Sequence, residues 1–86
     1  MYEIRFTDKS RKQVRKIAQF DKKNLLKRIS NLDFPFPTNL DISKITGMED
    51  FYRLRSGNTR TLLEIDQKKK EIWIRKIKYR GQIYKK

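Results

Sequence analysis

Eighty-six residues predict one small domain, spanning 1–86, with a modest core. The chain contains no Cys and no His, which excludes disulfides, Ser/His/Asp triads, Cys/His nucleophiles and the usual zinc sites. Its 23 Lys and Arg against 10 Asp and Glu leave a formal charge of +13, far beyond what solubility requires, and predict a polyanionic partner, nucleic acid first.

At the N-terminus, Tyr2-Glu3-Ile4-Arg5-Phe6 alternates in type, so Ile4 and Phe6 share one face of a first strand. The same segment lacks the basic head and apolar run of a secretion signal. Nowhere does the chain reach the roughly 18 apolar residues of a spanning helix, so a cytoplasmic protein without membrane contact is expected. Thr7 or Asp8 can cap a first helix, on which Val14, Ile17 and Ala18 recur at the spacing of one face. Asp21 is expected to cap a second helix. Leu25, Ile29 and Leu32 form its apolar stripe with Leu26 beside them, while Lys22, Lys23, Lys27 and Arg28 stay in water. Two short helices in succession predict a hairpin lying on a sheet.

Pro35 and Pro37 bring the second helix to a stop and make residues 33–39 a loop. Three strands are then predicted over residues 51–56, 60–66 and 70–80. Ser56-Gly57-Asn58 and the polar run from Asp66 to Lys70 supply the turns of an antiparallel meander. The predicted fold is therefore α+β, with a two-helix hairpin covering one face of a four-stranded sheet.

Strand alternation puts Arg53 and Arg55 on one side, opposite Tyr52 and Leu54. In the last strand, strict alternation groups Ile72, Ile74, Lys76, Lys78 and Arg80 against Trp73, Arg75, Ile77 and Tyr79, and a bulge near Arg75 would reassign these faces. Paired with their basic ends together, the strands would bring Arg53, Arg55, Arg60, Lys76, Lys78 and Arg80 into one patch. Tyr52, Trp73, Tyr79 and Tyr84 are the aromatics suited to stacking on single-stranded RNA beside it. Gly47, Gly57 and Gly81 are too scattered for a phosphate-cradling loop. Asp41, Glu49 and Asp50 make at best a weak metal cluster, so no metal or other cofactor is expected.

The run Lys44-Ile45-Thr46-Gly47-Met48-Glu49-Asp50-Phe51-Tyr52-Arg53-Leu54-Arg55-Ser56-Gly57-Asn58-Thr59-Arg60 resembles the central signature of the RelE/ParE superfamily, toxins of type II toxin–antitoxin systems. The signature is a Lys, an apolar residue and a Gly, then an aromatic before a basic-apolar-basic strand, a turn and an Arg. The tail agrees, with Arg80 followed four residues later by Tyr84. The likeness is closest to RelE and covers the whole chain in length and element order.

What the resemblance implies is a ribosome-dependent messenger RNA interferase, a metal-independent endoribonuclease that cuts codons in the decoding site and is neutralised by an acidic antitoxin. Its partners would be that antitoxin, RNA and the ribosome. Carried over by position, Arg53, Arg55 and Arg60 match the family's active-site basic residues and Tyr84 its C-terminal aromatic. The leaving-group acid falls at Lys78 or Arg80, and Asp41 occupies the place where some relatives carry a basic carboxylate. Lys44, Tyr52, Lys76 and Tyr79 are expected to contact RNA. The best-known RelE members have Lys at the first two basic positions. Arg53 and Arg55 instead favour clamping phosphate over moving protons, which leaves Lys44, Lys78 or Tyr84 as the base. Two alternatives remain at this stage: a ParE-like gyrase inhibitor, which shares the fold but usually lacks the basic cluster, and a non-catalytic RNA-binding module.

Overall fold

The computed structural model describes residues 1–79. In chain order the elements are β1 (Glu3–Phe6), α1 (Asp8–Arg15), α2 (Gln19–Ser30), β2 (Asp41–Lys44), β3 (Phe51–Ser56), β4 (Thr59–Asp66) and β5 (Glu71–Tyr79). The class is α+β as expected, but the sheet has five strands, in the order β1-β5-β4-β3-β2. The added strand is β2, whose single apolar residue, Ile42, pairs with Leu54 across an antiparallel ladder. Four residues carry too little alternation to announce a strand. β2 is held by its register with β3 more than by any propensity of its own.

The meander β3-β4-β5 is antiparallel throughout, and β1 closes the other side by pairing in parallel with β5. Gly57 supplies the positive φ, +57°, at the first of the two residues joining β3 to β4. Positive φ at that position is what a two-residue hairpin of type II′ demands. The β4-β5 connection is fixed by Asp66, whose carboxylate accepts the Lys69 N–H at 3.1 Å.

Thr7 is the cap of α1, its hydroxyl accepting the Ser10 N–H at 3.1 Å. The helix stops at Arg15, so Ile17 and Ala18, predicted on its face, lie in the connection. Ile17 still reaches the core, and Ala18 is the N-cap of α2. Asp21 is accordingly inside the first turn of α2, where a negative charge complements the helix dipole, and is not its cap.

The core lies between the helices and one sheet face, where Leu25, Leu54, Leu63, Ile72 and Ile74 are fully buried and Ile29, Ile65 and Ile77 nearly so. Each such side chain stabilises the fold by roughly 1.5 to 3 kcal/mol relative to exposure. Leu26 stays largely outside. The loop after α2 folds Phe34 and Phe36 edge-on against one another and against Tyr2 and Tyr52, with the Phe36 and Tyr52 ring centres 4.9 Å apart. No helix among the described residues is long and apolar enough to cross a membrane.

Candidate nucleic-acid interface

One irregularity decides which side chains share the outer face of the sheet. Leu62 pairs with Lys76 and Leu63 with Ile74, so Arg75 has no partner of its own and forms a bulge. The core positions of β5 are consequently Ile72, Ile74 and Ile77, with one step of three residues between the last two. Strict alternation would have put Ile77 outside and Lys76 in the core. The bulge sends Lys76 and Lys78 to the outer face, the side occupied by Arg60 and Leu62 of β4 and by Arg53 and Arg55 of β3. The possibility raised from the sequence is thus what the structure adopts.

Register then builds two adjacent rows. In one, Asp41, Arg55, Arg60 and Lys78 are paired in succession across β2, β3, β4 and β5. In the next, Ser43, Arg53, Leu62 and Lys76 are paired in the same way. Directly opposed side chains on such rows have Cβ atoms about 4.5 to 5.5 Å apart. Five cations therefore crowd into one corner of the sheet. Among the described residues none of them is in an ion pair; the bridges present join Arg5 to Glu3 and Glu71, and Arg75 to Glu64.

The corner is concave. A cleft of about 300 Å³ is walled by Arg53, Arg60, Lys76 and Lys78, floored by Ile45 and Leu62, and bordered by Thr61 and Tyr79. A neighbouring, more polar concavity of about 330 Å³ holds Arg28, Arg55, Asn39 and Asp41 and shares Arg60 with the first. Arg28 reaches it from α2, where its guanidinium donates to the Ser56 hydroxyl at 3.2 Å. Lys76 feels this crowding: Lys78 first, then Lys9 on α1, then desolvation hold its amine below the ordinary 10.5.

Not every residue expected at the site is there. Lys44 and Tyr52 are paired in register and sit on the opposite side of β2 and β3 from Arg53 and Arg55. The Lys44 ammonium lies 5.2 Å from the centre of the Tyr52 ring and donates to the Met48 carbonyl, and that ring packs on Phe36. Both are thereby removed from the basic cleft. Trp73 is at the far end of the outer face, donating to Glu71 at 3.1 Å. Tyr79 borders the cleft, but its side chain is directed to α2, where its hydroxyl accepts the Ala18 N–H at 2.6 Å and donates to Asp21 at 3.0 Å. Arg80 and Tyr84 lie outside the described residues. Asp41 does share the row of Arg55, in the second concavity. Among the described residues no three metal-ligating side chains gather.

The sequence reading overlooked Ile45 and Leu62, the apolar floor of the cleft, and the approach of Lys9 and Arg28 from the helices. The available signal for Leu62 was an apolar residue two positions after Arg60, on the same side of the strand. Nothing local marks the helix residues, whose proximity is tertiary.

No protein-family model matches the sequence, and no curated protein matches it. Solved structures do. RelE in the RelE-RelB complex of Pyrococcus horikoshii OT3 is 27% identical and superposes with a TM-score of 0.79 over 94% of this chain and 97% of that one. The RelB-RelE complex of Methanococcus jannaschii gives 27% identity and 0.76, over 93% and 94%. In fold, and in sequence at this level, the chain is RelE-like. The isolated RelE toxin of E. coli has the same fold at lower identity, 20%, with a TM-score of 0.76 over 92% of this chain and 84% of that one. The RelE-like fold thus carries, in this chain, a basic corner built almost entirely from Arg and Lys on three consecutive strands.

Proposed function

We propose that this RelE-like toxin is a ribosome-dependent messenger RNA endoribonuclease acting without metal, held inactive by a cognate acidic antitoxin. The observation that carries the reading is the convergence of Arg53, Arg55, Arg60, Lys76 and Lys78 on one concave corner, none of them in an ion pair among the described residues. Like charges opposed across strands destabilise a sheet, by about 0.2 to 1 kcal/mol per pair on the scale of cross-strand effects. A polyanion passing through the cleft reverses the sign of that term.

Cleavage proceeds by attack of a ribose 2′ hydroxyl on the adjacent phosphorus, and negative charge gathers on the phosphoryl oxygens in the transition state. Guanidinium groups fit those oxygens bidentately, so Arg53, Arg55 and Arg60 hold the phosphate and meet the charge as it develops. The apolar floor of Ile45 and Leu62 keeps water from competing for the same groups. Within the proposed site, Lys78 or Arg80 protonates the leaving oxygen, and Tyr84 serves as the C-terminal aromatic. A chain without His has modest acid–base chemistry of its own. The ribosome supplies alignment of the substrate, a contribution that reaches roughly 7 to 11 kcal/mol in favourable systems.

The antitoxin follows from the same charge. An acidic helix or extended segment laid on the basic corner would neutralise it and block substrate. The P. horikoshii and M. jannaschii structures are complexes of their own RelE with RelB.

Substituting Arg60→Ala is expected to abolish messenger cleavage on translating ribosomes while leaving the far-ultraviolet spectrum unchanged, with primer extension as the readout. Cuts at wild-type levels by a folded Arg60→Ala protein would remove Arg60 from the site. Arg53→Ala and Arg55→Ala should each weaken RNA binding and flatten its dependence on salt by about one counterion. Primer extension and a supercoiling assay on the same preparation separate this reading from a gyrase inhibitor. Codon-spaced cuts support it; arrested supercoiling without cuts refutes it.

A further inference from the structure

The cleft contains an amine placed to take a proton, and its neighbours come from four elements. Lys76 sits on β5 just past the Arg75 bulge, half-buried, opposite the apolar Leu62. Lys78 is two residues along the same strand and in side-chain contact with it; Lys9 approaches from α1. On the sheet side, Arg60 and Arg53 wall the same cleft. On the other side of β5, a second concavity of about 280 Å³ joins Lys76 and Lys78 to Gln13 and Lys16 of the α1 end. No carboxylate lines either concavity among the described residues.

We propose that Lys76 is the general base of the cleavage reaction, taking the proton of the attacking 2′ hydroxyl, and that Lys78 beside it returns a proton to the leaving oxygen. The assignment rests on the nuclease reading above and names the residue that performs one of its steps. Elimination among the described residues supports it. Arg53, Arg55 and Arg60 do not deprotonate. Lys44 is on the wrong face of the sheet, and the Tyr79 hydroxyl is committed to α2. Lys76 stands opposite apolar Leu62 in side-chain contact with Lys78, and Lys78 first and Lys9 second hold its amine below the ordinary value, which favours the free form that a base requires.

The step balances without an added reactant. The Lys76 nitrogen lone pair takes the 2′ hydroxyl proton as the O2′–P bond forms. The P–O5′ bond breaks, and O5′ takes a proton from the Lys78 ammonium. The products are a 2′,3′-cyclic phosphate and a 5′ hydroxyl end. Lys76 is left charged and Lys78 neutral, and one proton passing between the adjacent amines restores the starting state.

The test compares wild type, Lys76→Arg and Lys76→Cys in messenger cleavage on translating ribosomes across pH. Arg keeps the charge and cannot act as base, so Lys76→Arg should retain RNA binding and its salt slope yet cleave about 10² to 10⁴ times more slowly. The wild-type rate should rise with pH through a group titrating below the usual lysine range, and this limb should vanish in Lys76→Arg. The chain has no other cysteine, so aminoethylation of Lys76→Cys installs a single, less basic amine. Recovered cleavage, with the rising limb moved to lower pH, is the expected result. Lys76→Arg cleaving at the wild-type rate with the same limb overturns the assignment and leaves the nuclease reading standing. No cleavage by wild type, with a folded protein and programmed ribosomes, overturns both.

Discussion

Single residues in this protein have effects that can be separated by pH. The Asp33 carboxylate accepts the Tyr2 and Phe34 N–H groups at 3.0 and 2.9 Å, and those two bonds, Tyr2 foremost, hold it below the ordinary 3.8. A carboxyl with a depressed folded value contributes stability above its unfolded value and loses it as pH falls through the folded one. Denaturation curves of wild type and Asp33→Asn should therefore differ at pH 6 and converge as the medium is acidified below about 3.8; a constant difference down to the lowest pH would deny the linkage. At the opposite end of the scale, burial raises the Tyr79 phenol, with the Asp21 charge adding to it. Tyr79→Phe removes the donor to Asp21 and the acceptor of the Ala18 N–H together. A loss of about 1 to 3 kcal/mol is expected by urea titration, the range for stripping partners from partly buried polar groups. Cleavage should persist, since the hydroxyl faces α2 and not the cleft.

At the scale of elements, β5 is longer than β1, and its last residues would present a bare edge. α1 covers it. The Gln13 side-chain oxygen accepts the Ile77 N–H at 2.7 Å, and the Thr7 hydroxyl faces the Ile74 and Arg75 carbonyls at 3.4 and 3.3 Å. A helix laid along a strand in this way hides unpaired backbone that would otherwise recruit another chain. Gln13→Ala should cost about 1 to 2 kcal/mol and raise the hydrogen-exchange rate at Ile77 specifically; unchanged exchange there would mean that the contact is dispensable. How far elements could be read from the sequence follows the same logic. β3 was readable to the residue because Leu54, the Arg pair and the Gly57 turn all specify it. The helix ends were not, because the Ala18 cap has no side-chain oxygen and Asp21 advertised a cap that it does not make. β2 lacked any signal of its own. The site was readable where it depends on strand parity, as with Arg53, Arg55 and Arg60, and unreadable where packing chooses the face. Lys44 could not be placed because β2 was not read as a strand, whereas the parity of β3 had already set Tyr52 opposite Arg53 and Arg55, where it packs on Phe36. The spacing of Ile72, Ile74 and Ile77 did contain the bulge, as a step of three where a plain strand steps by two.

For the whole molecule, charge sets the conditions under which the fold is comfortable. A net +13 on 86 residues repels itself, and the opposed cations of β3, β4 and β5 concentrate that repulsion at one corner. Screening relieves it, so the melting temperature should rise between about 10 and 150 mM salt, where the Debye length falls from about 30 to 8 Å. A short RNA oligonucleotide should produce a larger rise at low salt than salt alone. Arg60→Ala, which thins the corner, should be more stable than wild type at low salt and indistinguishable at high salt. A flat thermal response to salt in both proteins would mean that the corner carries no strain for a ligand to relieve.

β1 and β5 are the first and last strands of the described chain, yet β5 lies inside the sheet, between β1 and β4. During synthesis the N-terminal strand and both helices precede β5, the strand that must lie between β1 and β4. Arg53 and Arg60 appear next, on a hairpin whose inner edge is unsatisfied. Lys76 and Lys78 come with the strand that fills the slot, so the basic corner and the parallel closure arrive together. A chain cut off before β5 would therefore lack both the complete basic corner and the strand that joins β1 to the rest of the sheet.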